Sequence, residues 1–432
     1  MKRLNRFLNR VKPQTRGPAP AQAPVSAPQS QAAAAGPPRT EQPTLNIASQ
    51  NSPGSTLNIA LQNQTTSNTV YAYITGQAID NNNALFLLQA DGRTPYYPTS
   101  PSAVGGSIQQ NCAIVLGPPG NTVTATIPHI AGGRIWFSID APLTFLLNPG
   151  PALVEPSVTN YSDPNINLNW GFAEFTFNSD QLYANISYVD FVGPPVALTL
   201  TTQSGATQHV SGMPTNGLDQ VCNGLRSQHA ADGQGWDQLV VSHNGRNLRA
   251  LSPNQGMVTN PNLFAGYYDN YVNQVWSRFT TQSLSIDTQA SFGTVSAKVS
   301  SGTLAIGNSS FAKPSTRDIF TCSTGPFATG ANAETNAIIP RLAAAFNRST
   351  LLVSNTSPAP LSSYYQDPTT NHYSRIVHQA NLDGRGYAFP YDDVQPSGGA
   401  DQSGEVHAGD PLLFTVTVGG GNASVNPPKR EL

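Results

Sequence analysis

Short apolar runs with alternating polar positions, separated by Gly, Pro, Asn and Asp, fill the first half of the chain and predict strands. Two of them, TLNIASQNS (44–52) and TLNIALQNQ (56–64), repeat each other around a Pro-Gly turn. VYAYITGQAI (70–79), ALFLLQ (84–89), CAIVLG (112–117), TVTATIP (122–128), RIWFSID (134–140), LNWGFAEFTFN (168–178) and LYANISYVDFV (182–192) follow. Many short strands with turn residues between them indicate a sandwich or a barrel. Helical spacing enters later. It predicts a helix over 218–231 and another after Asn260 and Pro261, where Phe264, Tyr268, Tyr271, Val275 and Phe279 would share one side. Further helices are expected over 337–347 and 371–380, with strands returning at 283–288, 294–300 and 412–418. The expectation is a mainly β protein: a body formed by 44–210 and the C-terminal strands, with a mixed α/β portion over about 211–400 inserted in it. A layer inserted beside a barrel leaves a cleft at the junction.

Composition changes that picture at the ends. Residues 13–43 are dominated by Pro, Ala, Gln, Ser and Gly, which cannot build a core, and are expected to be a disordered linker. Seven basic residues and no acidic one occupy 1–40, leaving 15 basic against 24 acidic residues in the remainder. The stretch from Met1 to Lys12 alternates Arg and Lys with apolar residues and lacks the continuous apolar core of a secretory signal. Residues 421–432 read as a flexible end. An acidic body without a basic stripe excludes a nucleic-acid partner, and no apolar run is long enough for a membrane-spanning helix. Cys112, Cys222 and Cys322 are too few and too far apart for a disulfide scaffold or a thiolate metal site.

Candidate chemistry narrows by elimination. There is no G-x-S-x-G elbow, H-E-x-x-H pair, phosphate-binding loop or dinucleotide fingerprint. The seven histidines are scattered, and His372 and His378 lack ligand spacing for one helical face. No metal or organic cofactor is called for. Carboxylates remain. Glu174, Thr176 and Asn178 share one face of a strand whose other face carries Phe175 and Phe177, a polar strip that either faces solvent or hydrogen-bonds sugar hydroxyls. Asp190 interrupts an apolar run and needs hydrogen-bond partners there, as a structural or a functional group. In a hairpin with an even loop, Asn185 and Ser187 fall beside Glu174 and Asp190 faces away. An odd loop or a bulge puts Asp190 on the side of Glu174.

EFTFN (174–178) followed by NISYVDFVG (185–193) resembles the signature of glycoside hydrolase family 64, the laminaripentaose-producing β-1,3-glucanases. YYDNYVNQVWSRF (267–279), DIFTCSTGPF (318–327), IIPRLAAAFNRSTLL (338–352) and GYAFPYDDV (386–394) are similar to further segments of that family. The resemblance spans about 44–420 and implies a thaumatin-like β-barrel or sandwich whose inserted portion forms a wide cleft, with 44–420 as the catalytic domain. It implies Glu174 as general acid and Asp190 as general base in inverting hydrolysis of β-1,3-glucan to short oligosaccharides, laminaripentaose being the expected product. Thr176 and Asn178 match sugar-lining positions, and Asn185 and Trp170 are taken with them as substrate-binding residues.

Inversion needs room for a water, so the carboxyls are expected to stand roughly 6.5–9.5 Å apart, against about 5–5.5 Å in a retaining pair. A monomer acting outside the cell or in the wall is expected from such a substrate, although no signal peptide is recognisable. The competing reading is a non-catalytic thaumatin-like protein that binds glucan or associates with the cell wall. Both carboxylates in their motifs favour the enzyme.

Overall fold

A computed structural model describes residues 54–420. The basic front end, the Pro-rich stretch, the strand expected at 44–52 and the C-terminal residues 421–432 lie outside the described residues. Mainly β structure is arranged in several sheets, with helices concentrated between 217 and 380. A five-stranded sheet runs in the order Thr207–Val210, Val196–Thr202, Pro411–Val418, Thr56–Asn63, Thr122–Pro128. The late strand Pro411–Val418 therefore sits between two early ones. It runs parallel to Thr56–Asn63 and antiparallel to Val196–Thr202.

The second, eight-stranded sheet carries the candidate site. Its path is Glu405–Ala408, Leu182–Asn185, Asn169–Phe177, Ile130–Ile139, Val70–Ala78, Ala84–Leu88 and Pro95–Tyr96, with Ile114–Val115 paired to Val70–Ala78. The central strand Asn169–Phe177 shows why period-two reading works here. Phe175 and Phe177 enter the core at 3% and 0% exposure. Phe175 lies over Gly133 of the neighbouring strand so closely that a Cβ there would come within 2.4 Å of its ring. Trp170, Phe172, Glu174 and Thr176 take the opposite face.

Two expected elements form differently. The run 182–192 is not one strand. Leu182–Asn185 pairs with the central strand, the chain leaves the sheet, and Phe191–Val192 pairs instead with Arg246–Leu251 in a separate three-stranded sheet. Gly193 lies against the central strand, where a Cβ would meet the Trp170 carbonyl oxygen at 2.6 Å. That close approach lets the chain cross there.

The helix expected after Asn260 begins instead at Asp269 and ends at Thr281. Asn260 is the C-cap of an earlier helix, Pro253–Thr259, whose start carries the stronger signals: Ser252 accepts from Gln255 N and Pro253 fills the first turn. Phe264 lies in the turn region between the two helices, with positive φ, and is buried nonetheless.

The other helices follow the spacing closely, at Gly217–Asp232, Ala333–Asn347 and His372–Ala380. Ala333–Asn347 starts earlier than expected because Asn332 caps it through Thr335 N. A short helix at Thr316–Thr321, opened by a Ser315–Asp318 capping box, was not expected. No helix among the described residues is long and apolar enough to cross a membrane. All three cysteines are free and buried.

Candidate active site

Registered pairing across the eight-stranded sheet sets one polar row. Glu174 stands opposite Asn185 on one side and Arg134 on the other. The row continues to Glu405 beyond Asn185 and to Thr75 beyond Arg134. Directly opposite residues point to the same face, so five neighbouring strands present Glu405, Asn185, Glu174, Arg134 and Thr75 together. One row further along the central strand the face becomes aromatic. Phe172 packs on Trp136 at 4.9 Å between ring centroids, and Phe191 covers Phe172 and Trp170 at 5.8 and 4.9 Å. Glu174 is therefore where the covered part of this face ends, and its side chain keeps 27% of its exposure.

Arg134 organises the carboxylates. Its Nη2 lies 3.3 Å from Glu174 Oε1, and its Nη1 donates to Glu155 Oε2. The guanidinium stacks over Phe172 at 4.8 Å, so aromatic surroundings reach Glu174 through Arg134. Burial pushes the Glu174 carboxyl above its ordinary value. Arg134 pulls the other way, and Asp190 adds to the rise. Glu155 is raised as well, by burial first, with Arg134 opposing and Glu174 reinforcing.

Asp190 reaches this group from the segment that crosses out of the sheet. The even register is the one observed, with Glu174 opposite Asn185, yet Asp190 does not end on the far face, because the strand that would have carried it there stops at Asn185. Ser252 N donates to the Asp190 carbonyl at 2.9 Å and Gln255 Nε2 to its carboxylate Oδ1 at 2.7 Å. Both come from the start of the Pro253–Thr259 helix. Two residues earlier, the Tyr188 carbonyl accepts from Tyr373 Oη at 2.6 Å and Tyr188 N donates to the Tyr387 carbonyl at 2.7 Å. Three distant parts of the mixed α/β portion thus hold the carboxylate.

The remaining expected residues divide. Thr176 stands one row on, opposite Tyr183, partly exposed on the Glu174 face. Asn185 is beside Glu174 but buried, and its Oδ1 has no hydrogen-bond partner among the described residues. Asn178 turns the hairpin, its Oδ1 accepting from Asp180 N and Gln181 N at 2.9 Å each. Trp170 is not brought to the surface of the site. It is 1% exposed beneath Phe191 and donates its indole N–H to the Asn165 carbonyl at 3.0 Å, so it cannot stack on a sugar. Arg134, Glu155 and Gln255 are members of the site that sequence reading missed, whereas Ser187, which the even register set beside Glu174, does interact with its carboxyl. Arg134 had a signal, since it shares strand parity with Trp136 at the head of an apolar run. Glu155, at the end of a three-residue strand, had none.

The sequence profile of the β-1,3-glucanase family, glycoside hydrolase family 64, matches residues 55–418. The chain belongs to this family. The resemblance carried by the segments around Glu174 and Asp190 is borne out. Among curated family relatives, a glucan endo-1,3-β-glucosidase of Cellulosimicrobium cellulans is 28% identical over 321 residues, which are 71% of this chain and 57% of that protein. The chain thus spans little more than half the length of such relatives. A laminaripentaose-producing β-1,3-glucanase solved in complex with laminaritetraose superposes with a TM-score of 0.75 at 29% identity, covering 84% of this chain and 99% of its own. A family 64 β-1,3-glucanase domain from Clostridium beijerinckii, at 22% identity, shares the fold with a TM-score of 0.65, over 86% of this chain and 100% of its own.

Proposed function

We propose that this protein hydrolyses β-1,3-glucan with inversion, Glu174 acting as general acid and Asp190 as general base. The observation that carries the reading is the meeting of these two carboxylates. One lies on a sheet strand and the other on a segment that leaves that sheet, close enough for Asp190 to raise the Glu174 carboxyl. An acid must hold its proton at working pH, and burial of Glu174 supplies that rise. Protonated Glu174 would donate to the departing glycosidic oxygen. Ionised Asp190, oriented by Gln255, would take a proton from water attacking the opposite face of the anomeric carbon.

Family membership and the laminaritetraose-bound relative support a linear β-1,3-linked substrate and a short product such as laminaripentaose. The reading extends to a thaumatin-like architecture with 44–420 as the catalytic domain, a wide cleft between its sheets and the mixed α/β portion, and Thr176, Asn178 and Asn185 lining the sugar path. It includes action as a monomer on wall or extracellular glucan. Purified protein incubated with linear β-1,3-glucan should release soluble oligosaccharides, seen by chromatography, and release none from linear β-1,4-glucan. Binding of β-1,3-glucan without any hydrolysis would move the protein to the non-catalytic reading.

The brace on the Asp190 segment yields a second expectation. Tyr373→Phe removes the donor to the Tyr188 carbonyl. It should lower unfolding stability by about 1 kcal/mol and reduce turnover more than it raises KM, because a displaced general base impairs the chemical step. An unchanged turnover number would show that this bond does not set the position of Asp190.

A further inference from the structure

The cluster around Glu174 contains a third carboxylate that the two-carboxylate mechanism does not use. Glu155 lies on the segment that follows the short strand Ala152–Val154 and pairs with Arg134, the same guanidinium that contacts Glu174. The groups that face Glu174 come from several elements. They are Arg134 on the adjacent strand, Glu155 across that guanidinium, Asp190 and Ser187 on the crossing segment, and Asn185 opposite, with Glu405 one strand further. Three carboxylates, Glu155, Glu174 and Asp190, act on one guanidinium. With all three ionised the group would carry two uncompensated negative charges in a partly dry site, so one proton is favoured.

We infer that Glu155 is a positioning residue for the reaction proposed above: by pairing with Arg134 it neutralises the guanidinium and leaves the proton of the cluster on Glu174. Asp190 adds to the rise of both carboxylates on Arg134, so their exposure is what distinguishes them. Glu155 is the more exposed side chain, at 34% against 27%, so its charge is better solvated. An Arg134 left to Glu174 alone would hold that carboxyl ionised and make it a poor acid.

This rests on Glu174 being the general acid, and the test separates the two claims. The pH dependence of kcat/KM on linear β-1,3-glucan is measured for the wild type, Glu155→Gln and Glu174→Gln, with thermal unfolding as a check on folding. Its alkaline limb reports loss of the acid's proton in the free enzyme. Glu155→Gln should move that limb to lower pH by about one unit, an approximately tenfold lower rate on the alkaline side with little change on the acid side. Should Glu155→Gln not fold, Glu155→Asp carries the test. Its shorter stem weakens the pairing with Arg134, and the limb should move the same way by less. A uniform loss at all pH values with the limb unmoved would mean that Glu155 is merely structural, and would overturn the inference. Wild-type activity in Glu174→Gln would instead remove the assignment of the acid on which it rests.

Discussion

Glu174→Gln is expected to lower the rate of β-1,3-glucan hydrolysis by about 10²–10⁴-fold, the range for losing a positioned general acid. Glutamine keeps the size of the side chain and can still meet Arg134 through its carbonyl oxygen, but it has no proton to give to the leaving oxygen. Stability should change little, because Glu174 is partly exposed and one of the carboxylates competing for Arg134 becomes neutral. Asp190→Asn should have a loss of similar size, since the amide can accept from Gln255 Nε2 yet cannot take a proton from water. Because the two groups serve one step, the double variant should be scarcely slower than either single one. Rates within a few-fold of wild type in either single variant would contradict the assignment.

The second large effect lies behind the site. Asp392 is fully buried and accepts from Arg348 Nη2 at 2.9 Å, His378 Nε2 at 2.9 Å and Ala388 N at 3.0 Å. His378 Nδ1 meets the Gly384 carbonyl at 2.9 Å. Both partners of the imidazole are acceptors, an arrangement that favours the doubly protonated ring. Asp392→Ala would leave the buried Arg348 guanidinium without its anion and His378 Nε2 without its acceptor, and should destabilise the protein by about 3–5 kcal/mol in urea unfolding. A loss under about 1 kcal/mol would mean that the network contributes nothing net.

The same network sets a pH window. Burial opposes the charge on His378, but Asp392 outweighs it and holds its pKa above the ordinary value. That contribution is fully present below about pH 6.5 and is lost as pH rises through the folded-state value. Burial likewise opposes the charge on Asp392, and His378 and then Arg348 pull its pKa below the ordinary value. Its contribution is present above about pH 3.9 and is lost as pH falls through the folded-state value. The stability difference between wild type and His378→Gln should therefore be flat between these limits and shrink above the upper one. The network also reaches the active site. Asp392 holds Ala388, and the adjacent Tyr387 carbonyl receives Tyr188 N from the segment that presents Asp190.

Alternation alone put Glu174 and Thr176 on one face and Phe175 and Phe177 on the other, because that strand is paired on both sides and cannot slip. Trp170 shares the parity of Glu174 on that strand. What parity could not contain was Phe191, which arrives from another sheet and covers the indole. Asp190 was harder. Both registers considered for the hairpin assumed a continuous strand, whereas the chain breaks after Asn185 for reasons distant in sequence: the Gly193 approach to Trp170, Ser252 N, and the Tyr373 hydroxyl. The pairing of Glu174 with Asp190 was legible through the family's segments, not through local pattern. Glu155 became visible only when register set Arg134, its partner, beside Glu174. The N-terminus of the helix expected after Asn260 was misplaced because Asn-Pro and Ser-Pro both resemble a start, and only the second is one.

The central claim is inverting hydrolysis by Glu174 and Asp190, and the anomeric form of the first product tests it most directly. Proton NMR of linear β-1,3-glucan mixed with the protein would record new reducing ends before they mutarotate. Early appearance of the α-anomer, lost in Glu174→Gln and Asp190→Asn, is the predicted result. Early appearance of the β-anomer would mean retention through a closer carboxylate pair, and would contradict the roles given to both residues.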